Sequence, residues 1–558
     1  MASPVSHALN EWLTERPYLA VFIAATVILL PALTILRSPE DETAVPKLPA
    51  AIPYVTNTYH YMTNMKTFLN RSRAHLTKTS KDIISWNLTP WTKVYLITSP
   101  RHIHALFRST PAISSDKFFH MICEHIWGAP LADRAKFLAD KSGRSKVPLP
   151  GYEDTPANQR YFARMHAIIH KHLAVTAKAN ALAATYQRFF EEELERRFPV
   201  GETVIEGVTR LLRVHMANAA TETIAGKGIM KRWPNLIDML WQFDEIAASL
   251  VWGLPRWMNR SSCRTRDSLR DACAQYVEEE LEKGFDLKGE QADWEPVMGS
   301  SFQRELIRWM RGAGFSKEAI GGAIMVMMIF GTNANSIPVT VWCLIEIIKD
   351  KSLLETVREE VMTTWETDPS TGARTINLRK LLALPFLQSV YAEAMRLHVS
   401  MNVTREVTAP FDLGSYKLDK GSLIQACTEI SHLDEDVWGK KEHPASEFWA
   451  ARHVIYVERV DESGMIVKRV PEFSMAWRQN DWFPYGGGIA ICPGRHFAKQ
   501  EIMMTVAILV TRFDLDFVEW VNKDGTPSDR PAQDDVSYAG AAAVPPDREM
   551  KVRFTRRW

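Results

Sequence analysis

The sequence lacks a charge excess of either sign and lacks any paired-cysteine motif. Its 558 residues hold 67 Lys plus Arg against 66 Asp plus Glu, so the formal net charge is +1 at pH 7. Without a cationic excess there is no general field that neutralises phosphates, which excludes nucleic acid as the main partner. The six cysteines form no CxxC pair, which excludes a disulfide scaffold and a structural zinc site. A hydrophobic share of 46% rules out wholesale disorder.

Long runs without a charged residue are also scarce, and one such run lies near the N-terminus. Residues 18–36 contain no charged side chain, and about 20 apolar residues span the core of a bilayer. The preceding segment carries two glutamates and only Arg16 as a cation, unlike the basic start of a signal peptide. A buried core helix is the alternative. The sequence favours a single membrane anchor over residues 1–37.

A proline-rich segment follows the predicted anchor. Residues 38–55 contain Pro46, Pro49 and Pro53, and proline at such spacing makes a stiff, extended connector. Residues 56–558 then form the predicted globular body. Its hydrophobic patterns indicate mainly α-helix with a smaller β region.

The most informative helix of the body is predicted from near Ser316 to about Asp350. Its two flanks are apolar on nearly every face, so the helix must be buried. The middle is polar and contains Pro338, and a proline inside a helix removes a backbone hydrogen bond and kinks it. One interpretation is an ordinary kinked core helix. The other is a distortion that opens a site.

A second predicted helix, over residues 384–400, carries Glu393 and Arg396. Positions three apart lie on one face of a helix, so the two side chains can pair. This spacing alone is also typical of ordinary surface pairs. Phe448 and Arg452 follow, four residues apart, in a region of predicted strands and turns.

The segment around Cys492 carries the most chemistry. Three glycines, at 486–488, allow the backbone to approach a flat ligand closely. Cys492 stands just before the predicted start of a helix, where the helix dipole and free N–H groups favour a thiolate and can donate to a metal-bound sulfur. A buried structural cysteine is the alternative. The glycines, Pro493, Gly494 and the apolar helix beyond them favour a ligand cysteine.

Taken in this order, the motifs resemble the cytochrome P-450 family of heme-thiolate enzymes. The family's heme loop has an aromatic residue, a glycine, a basic residue, a cysteine and a glycine at fixed spacing. Here Tyr485, Gly488, Ala490, Cys492 and Gly494 stand in those places. Tyr485 replaces the usual Phe, and Ala490 replaces the usual Arg or His. The resemblance runs from the anchor to the C-terminal strand, and it implies the cytochrome P-450 fold over residues 56–558.

The resemblance assigns roles to particular residues. It makes Cys492 the axial ligand of the iron of heme b, and it places Arg405 against a heme propionate. It also makes Glu393, Arg396 and Arg452 a triad that braces the proximal side of the heme.

The closer likeness within the family is to sterol 7α-hydroxylase, sterol 12α-hydroxylase and prostacyclin synthase. It rests on the segments 331–342, 485–495 and 539–547. Most members of the family have an acid followed by an alcohol in the distal helix, whereas this chain has Ala334 and Asn335 there, with Ser336 as the nearest hydroxyl. Without the acid, water ordered by Asn335 or Ser336 is expected to relay protons.

The resemblance implies a monomeric monooxygenase in the endoplasmic reticulum membrane, with its catalytic body in the cytosol. Electrons would come from NADPH–cytochrome P-450 reductase. The apolar distal helix implies a lipophilic substrate, such as a terpenoid, a sterol-like compound or another polycyclic secondary metabolite. Substrate walls are expected from the segments 118–127, 331–335, 400–403 and 538–541. Two alternatives stay open: a heme-thiolate isomerase or dehydratase that needs no reductase, and a non-enzymatic heme-binding sensor or carrier.

Overall fold

The computed structural model describes residues 45–558, apart from 53, 109–111, 252, 288–291, 368, 371, 373, 461–465, 477 and 479. The predicted membrane anchor, residues 1–37, lies outside the described residues.

Helices make up most of the described chain, as predicted. In chain order the α-helices up to residue 312 are α1 (Thr56–Thr63), α2 (Met65–Thr79), α3 (Pro100–Phe107), α4 (Asp116–Met121), α5 (Leu131–Ala139), α6 (Tyr161–Ile169), α7 (Thr176–Arg197), α8 (Val208–Leu211), α9 (Ala217–Ala225), α10 (Lys227–Arg232), α11 (Leu236–Val251), α12 (Arg260–Glu282) and α13 (Ser301–Gly312). Beyond it they are α14 (Lys317–Ala323), α15 (Gly331–Asn333), α16 (Ser336–Lys349), α17 (Lys351–Met362), α18 (Leu378–Leu381), α19 (Pro385–His398), α20 (Thr428–Ser431), α21 (Glu435–Trp438) and α22 (Arg495–Arg512). Wider π-helical turns cover Ile122–Ile126, His170–Ala174, Leu212–Met216 and Ile324–Phe330, and 3-10 turns cover Ala157–Gln159, Gly488–Ala490 and Val536–Tyr538.

The β region is smaller and forms two sheets and several hairpins. The strands are β1 (Ile83–Thr89), β2 (Thr92–Ile97), β3 (Ile113–Ser114), β4 (Thr203–Gly207), β5 (Trp294–Glu295), β6 (Gly299–Ser300), β7 (Trp365–Thr367), β8 (Arg374–Ile376), β9 (Val399–Val407), β10 (Phe411–Leu413), β11 (Tyr416–Leu418), β12 (Leu423–Cys427), β13 (Val454–Val460), β14 (Ile466–Phe473), β15 (Phe513–Asn522), β16 (Pro527–Ser528), β17 (Ala541–Ala543) and β18 (Arg548–Arg556). One sheet has the order β1-β2-β12-β9-β17, with β3 beside β9, and the other has the order β16-β15-β18-β4.

Packing begins before the predicted start of the body. Val45 and Leu48 are buried, and the Leu48 N–H donates to the Ser85 carbonyl over 2.8 Å. The first described residues therefore lie along strand β1, inside the segment that the prolines predict to be an extended connector.

The central helix, Lys317–Lys349, matches the predicted bounds to within one residue at each end. It comprises α14, a π-helical stretch, α15 and α16. By length and composition it could cross a membrane, but most of its apolar window is buried inside the protein, which identifies it as a core helix. The helix breaks between α15 and α16, at Ala334 and Asn335. Pro338 lies in the first turn of α16, where its missing N–H has no helical partner to lose.

Three helices bring the motifs of the sequence together. Helix α16, the second half of the central helix, packs against α19, which carries Glu393 and Arg396, and against α22, which follows Cys492. Helix α22 packs in turn on α7. Its residues from Phe497 to Arg512 are buried except for two near the start, because both of its faces are covered by helices. Cys492 therefore lies just before the first turn of a buried helix.

Candidate active site

Cys492 differs from every other cysteine of the chain, because it is half-buried whereas the other five are buried. It precedes helix α22, and its backbone N–H donates to the Tyr485 carbonyl over 3.0 Å, which closes the loop 485–492. Burial raises the pKa of the thiol, while the backbone N–H of Gly494 and the charge of Arg495 act in the opposite direction. A thiol that faces backbone donors, in a residue that is not fully buried, suits a metal-ligating cysteine.

The glycine loop, residues 485–492, fits closely against the end of helix α3. A Cβ atom added at Gly487 would lie 2.4 Å from the ring of Phe107, and one added at Gly488 would lie 2.3 Å from the Phe107 carbonyl oxygen. Gly486 and Gly488 also have φ near 70°, the left-handed region that favours glycine. The sequence analysis explains these glycines by a ligand that lies close to the backbone. The structure adds a second reason, since Phe107 also lies too close to the backbone for a side chain at 487 or 488.

Arg405, on strand β9, points its guanidinium at the same loop. One N–H donates to the Gly487 carbonyl over 3.3 Å, and another donates to the Thr404 carbonyl over 2.9 Å. Burial, with the charge of Arg144 as a smaller contribution, lowers the pKa of Arg405 to about 10. Within the described part of the chain, no carboxylate pairs with it. A largely desolvated cation without a counter-ion is a place where an anionic group of a ligand would bind.

The predicted triad is present as a buried ion-pair cluster. The Glu393 Oε1 atom lies 2.7 Å from Arg396 Nη2 and 2.7 Å from Arg452 Nε, and all three side chains have 0% exposure. Burial alone would raise the pKa of Glu393, but hydrogen bonds from Arg396, the nearby ring of His453 and the two arginine charges hold it well below its usual range. The Arg396 and Arg452 side chains also donate to several backbone carbonyls of residues 432–447.

His432 connects the triad to the glycine loop, and sequence reasoning missed it. Its Nδ1 atom lies 3.1 Å from the Arg396 carbonyl, and its Nε2 atom accepts from the Phe483 N–H over 3.1 Å. Burial and the charge of Arg396 lower the pKa of His432 to about 3, so the ring is neutral, with one donor and one acceptor nitrogen. Phe483 lies two residues before Tyr485, so this bridge positions the loop relative to the triad.

Tyr485 forms a buried pair with Tyr391 of helix α19. The two hydroxyl oxygens lie 2.6 Å apart. Burial raises the pKa of both phenols well above the usual range, with the Cys492 thiol nearby as a further contribution. The sequence showed that Tyr485 replaces the family's usual Phe, but it did not reveal Tyr391. Tyr391 provides the hydrogen-bond partner that a buried tyrosine hydroxyl requires.

We expect the single change Tyr485→Phe to lower stability more than the double change Tyr485→Phe with Tyr391→Phe. The single variant leaves one buried hydroxyl without a partner, which costs about 1–3 kcal/mol, whereas removing both hydroxyls can be nearly neutral. Thermal unfolding of the two variants, with Tyr152→Phe at an exposed tyrosine as the control, measures this. Equal melting temperatures for the single and double variants would contradict the pairing.

The break in the central helix exposes one narrow stripe. Gly331 and Asn335, four residues apart, are exposed in a helix whose other residues are mostly buried, so the two residues form an accessible stripe on one face of the helix. Ala334 is buried beside it. The Asn335 Oδ1 atom accepts from the Ala543 N–H over 3.2 Å, which ties the break to strand β17. Strand β9 pairs with β17 at one end and carries Arg405 near the other.

Ser336 does not belong to the exposed stripe. It is 3% exposed, and it lies beside Glu501 of helix α22. Glu501 is 1% exposed, and neither of its carboxylate oxygens has a hydrogen-bond partner among the described residues. Burial raises the pKa of Glu501 well above its usual range, with Ser336 countering the rise, which favours the neutral carboxyl group. The sequence signal that could have identified Glu501 is a single acidic residue in a helix whose following residues are apolar enough to be buried.

Comparisons with known proteins agree with this geometry. The model of the cytochrome P450 family matches residues 213–529. The chain is 44% identical to cytochrome P450 monooxygenase calL of Penicillium decumbens, over 86% of this chain and 87% of that protein. It is 29% identical to cytochrome P450 monooxygenase efuG of Hormonema carpetanum, over 83% and 82% of the two chains. It is 26% identical to cytochrome P450 7A1 of Sus scrofa, over 57% and 58%.

Proteins of this family bind heme, and the described residues fit such a group. A half-buried thiol faces backbone donors, an uncompensated guanidinium lies at the same loop, and the loop backbone is too tightly packed for side chains at 487 and 488. The described residues contain no cluster of three or more His, Cys, Asp or Glu that would suit a different metal centre. The predictions of an enzyme with a heme cofactor and of sterol-hydroxylase-like relatives are confirmed. The chain belongs to the cytochrome P450 family.

Proposed function

We propose that this protein is a membrane-anchored monooxygenase that oxidises a lipophilic, polycyclic substrate of terpenoid or sterol-like type. Molecular oxygen and electrons from NADPH–cytochrome P450 reductase would drive the reaction. The observation that carries the proposal is a loop that ends in the half-buried Cys492 and that accepts, at Gly487, a hydrogen bond from Arg405, a guanidinium without an acidic partner among the described residues, in a chain of this family. The apolar central helix supports a lipophilic substrate.

Five residues of the chain would hold the heme directly or through the loop. Cys492 would ligate the iron, and Arg405 would bind a propionate. Tyr485, Gly488 and Gly494 would shape the loop around the ligand sulfur. The heme, when bound, supplies the oxidising chemistry, because a thiolate ligand pushes electron density onto the iron.

Behind the loop, the protein would keep the site rigid without touching the cofactor. Glu393, Arg396 and Arg452 cross-link helix α19 to the segment 432–452. His432 connects this cross-linked segment to the glycine loop, because its Nε2 atom accepts a hydrogen bond from the Phe483 N–H. A ligand held by packed neighbours keeps its geometry while substrates enter and leave.

The reaction is tested with full-length protein in membranes or detergent, together with a P450 reductase, NADPH and isotopically labelled oxygen. Sterols and triterpenoids form the substrate panel. Incorporation of one labelled oxygen atom into a product supports the proposal. Product formation without any electron donor would instead favour the isomerase alternative, which gains support from the absence of an acid at Ala334 and from the engagement of the Asn335 carbonyl by Ala543.

Asn335 provides a prediction that bears on the reaction class. Its Oδ1 atom is held by Ala543, so its amide nitrogen is the group left to orient a water at the exposed stripe. We expect Asn335→Ala to keep heme and substrate binding but to form at least about tenfold less product per NADPH, because a positioned proton-transfer group contributes at least that much. Hydrogen peroxide should rise in step. Thr340→Ala, at a buried threonine further along the same helix, is the control.

If coupling in Asn335→Ala stays at the wild-type value, the role given to Asn335 is wrong. The buried pair of Ser336 and Glu501 would then be the next group to substitute, since it is the neighbouring polar group on the other face of the helix.

Membrane attachment has its own test. We expect deletion of residues 1–36 to release most of the protein from the membrane fraction while the heme spectrum stays unchanged, because about 20 apolar residues provide the anchor. Fractionation of cells that express the full and truncated chains measures this. Wild-type protein recovered entirely in the soluble fraction would overturn the anchor and the assignment to the endoplasmic reticulum.

A further inference from the structure

Asp244 and Tyr538 form a half-buried polar pair, with the charge of Arg213 nearby. Asp244 lies on helix α11, and Tyr538 ends the 3-10 turn that leads to strand β17. The Tyr538 hydroxyl donates to Asp244 Oδ2 over 3.2 Å. Both side chains are half-buried, although they come from segments 294 residues apart.

The pair lies beside the exposed stripe of the central helix. Phe243, next to Asp244, packs edge-on against Phe330 of the central helix, with ring centroids 5.1 Å apart. Phe330 directly precedes Gly331, the first residue of the stripe. On the other side, Ala543, shortly after Tyr538, donates to Asn335, the second residue of the stripe. Asp244 and Tyr538 therefore lie on two elements that contact the central helix at either end of the stripe.

Asp244 has an oxygen that accepts no hydrogen bond from the described residues. Within the described part of the chain, its Oδ1 atom takes no hydrogen bond, whereas Oδ2 is used by Tyr538. Burial raises the pKa of Asp244 to about 6, and the Arg213 charge and the bond from Tyr538 counter the rise. A half-buried carboxylate oxygen that has no protein donor is able to accept a hydrogen bond from a ligand. The next residue, Glu245, shows the contrast, since its side chain is 64% exposed.

We propose that Asp244 and Tyr538 bind a hydroxyl group of the substrate, which donates to Asp244 Oδ1. This inference rests on the proposed function and specifies its substrate class: a lipophilic molecule that already carries a hydroxyl group. A neutral donor suits the site better than an ammonium group, because Arg213 already places positive charge near the carboxylate. A reaction that installs oxygen must therefore supply this substrate, and the enzyme acts after that step.

The test uses cholestane and cholestanol, two sterol probes that differ by one hydroxyl group. Binding to the purified, heme-loaded full-length protein is measured by the shift of the Soret band and independently by equilibrium dialysis. Wild type should bind cholestanol at least about tenfold more tightly than cholestane, because a hydrogen bond to a charged group changes a dissociation constant by at least about that factor. Asp244→Leu should abolish the preference by weakening cholestanol binding alone. Asp244→Asn and Tyr538→Phe should reduce it.

The control is Glu245→Gln, at the exposed neighbour, which should leave the preference unchanged. Heme content and the carbon monoxide spectrum of each variant show that it is folded, and Asp244→Asn serves if Asp244→Leu does not fold. Equal binding of the two probes by wild type would overturn this inference while leaving the proposed function intact. A preference that survives both Asp244 changes would also overturn it. Failure of wild type to bind either probe would overturn the sterol-like substrate class, and this inference with it.

Discussion

Cys492→Ser is expected to abolish oxidation completely and to remove the red-shifted Soret band of the reduced carbon monoxide complex. The serine hydroxyl is far less acidic than a thiol and is a poor iron ligand, so the electron push of a thiolate is lost. The backbone donors of residues 494 and 495, which face the sulfur, cannot compensate for the missing ligand. The absorption spectrum and product formation measure the two effects.

The matched control is Cys263→Ser, at a buried cysteine of helix α12. Any general effect of exchanging thiol for hydroxyl on folding appears in this variant too, whereas the spectrum should stay normal. If Cys492→Ser keeps the red-shifted band, the iron ligand is another residue and the role given to Cys492 is wrong.

Glu393→Ala is expected to have the second largest effect, on folding rather than on chemistry. The change leaves Arg396 and Arg452 as two adjacent cations with 0% side-chain exposure. Removing one partner of a buried ion pair costs about 3–5 kcal/mol, because the remaining charge is uncompensated. The same change loosens the carbonyl contacts that lead through His432 to the glycine loop. Yield, heme content and the melting temperature should therefore all fall.

An ordinary helical pair provides the comparison. Glu280 and Lys283 have the same i,i+3 spacing, but the lysine side chain is 63% exposed. Glu280→Ala should cost no more than about 0.5 kcal/mol. Normal heme loading and an unchanged melting temperature in Glu393→Ala would show that the triad has no bracing role.

The central helix shows how far the sequence predicts the structure and where it stops. Apolar residues on every face predicted a buried helix from near 316 to about 350, and the helix covers Lys317–Lys349. The irregularity was predicted at Pro338, but the break lies at Ala334 and Asn335. A proline in the first turn of a helix loses no hydrogen bond, so the proline follows the break rather than causing a kink within the helix.

The polar residues that sequence reasoning missed share one property, which is that their partners are remote in the chain. Tyr391 pairs with Tyr485, His432 bridges Arg396 and Phe483, and Asp244 pairs with Tyr538. Local periodicity reports which face of a helix is buried, but it does not report which distant polar group meets a buried one. The triad was predictable only because its members resemble a family pattern.

The C-terminal segment, residues 534–547, has a consequence for how the chain is made. It supplies the Ala543 N–H to Asn335 and the Val544 carbonyl to the Trp342 indole, and its Asp534 pairs with His398. These groups leave the ribosome after the central helix has been complete for about 200 residues, which takes roughly 10–40 s at ~5–20 residues per second. During that interval the indole N–H and the break have no native partners. The contacts around the break are therefore made late in synthesis, and a nascent chain that stalls before residue 534 leaves the apolar central helix without these partners and open to chaperones and to other chains.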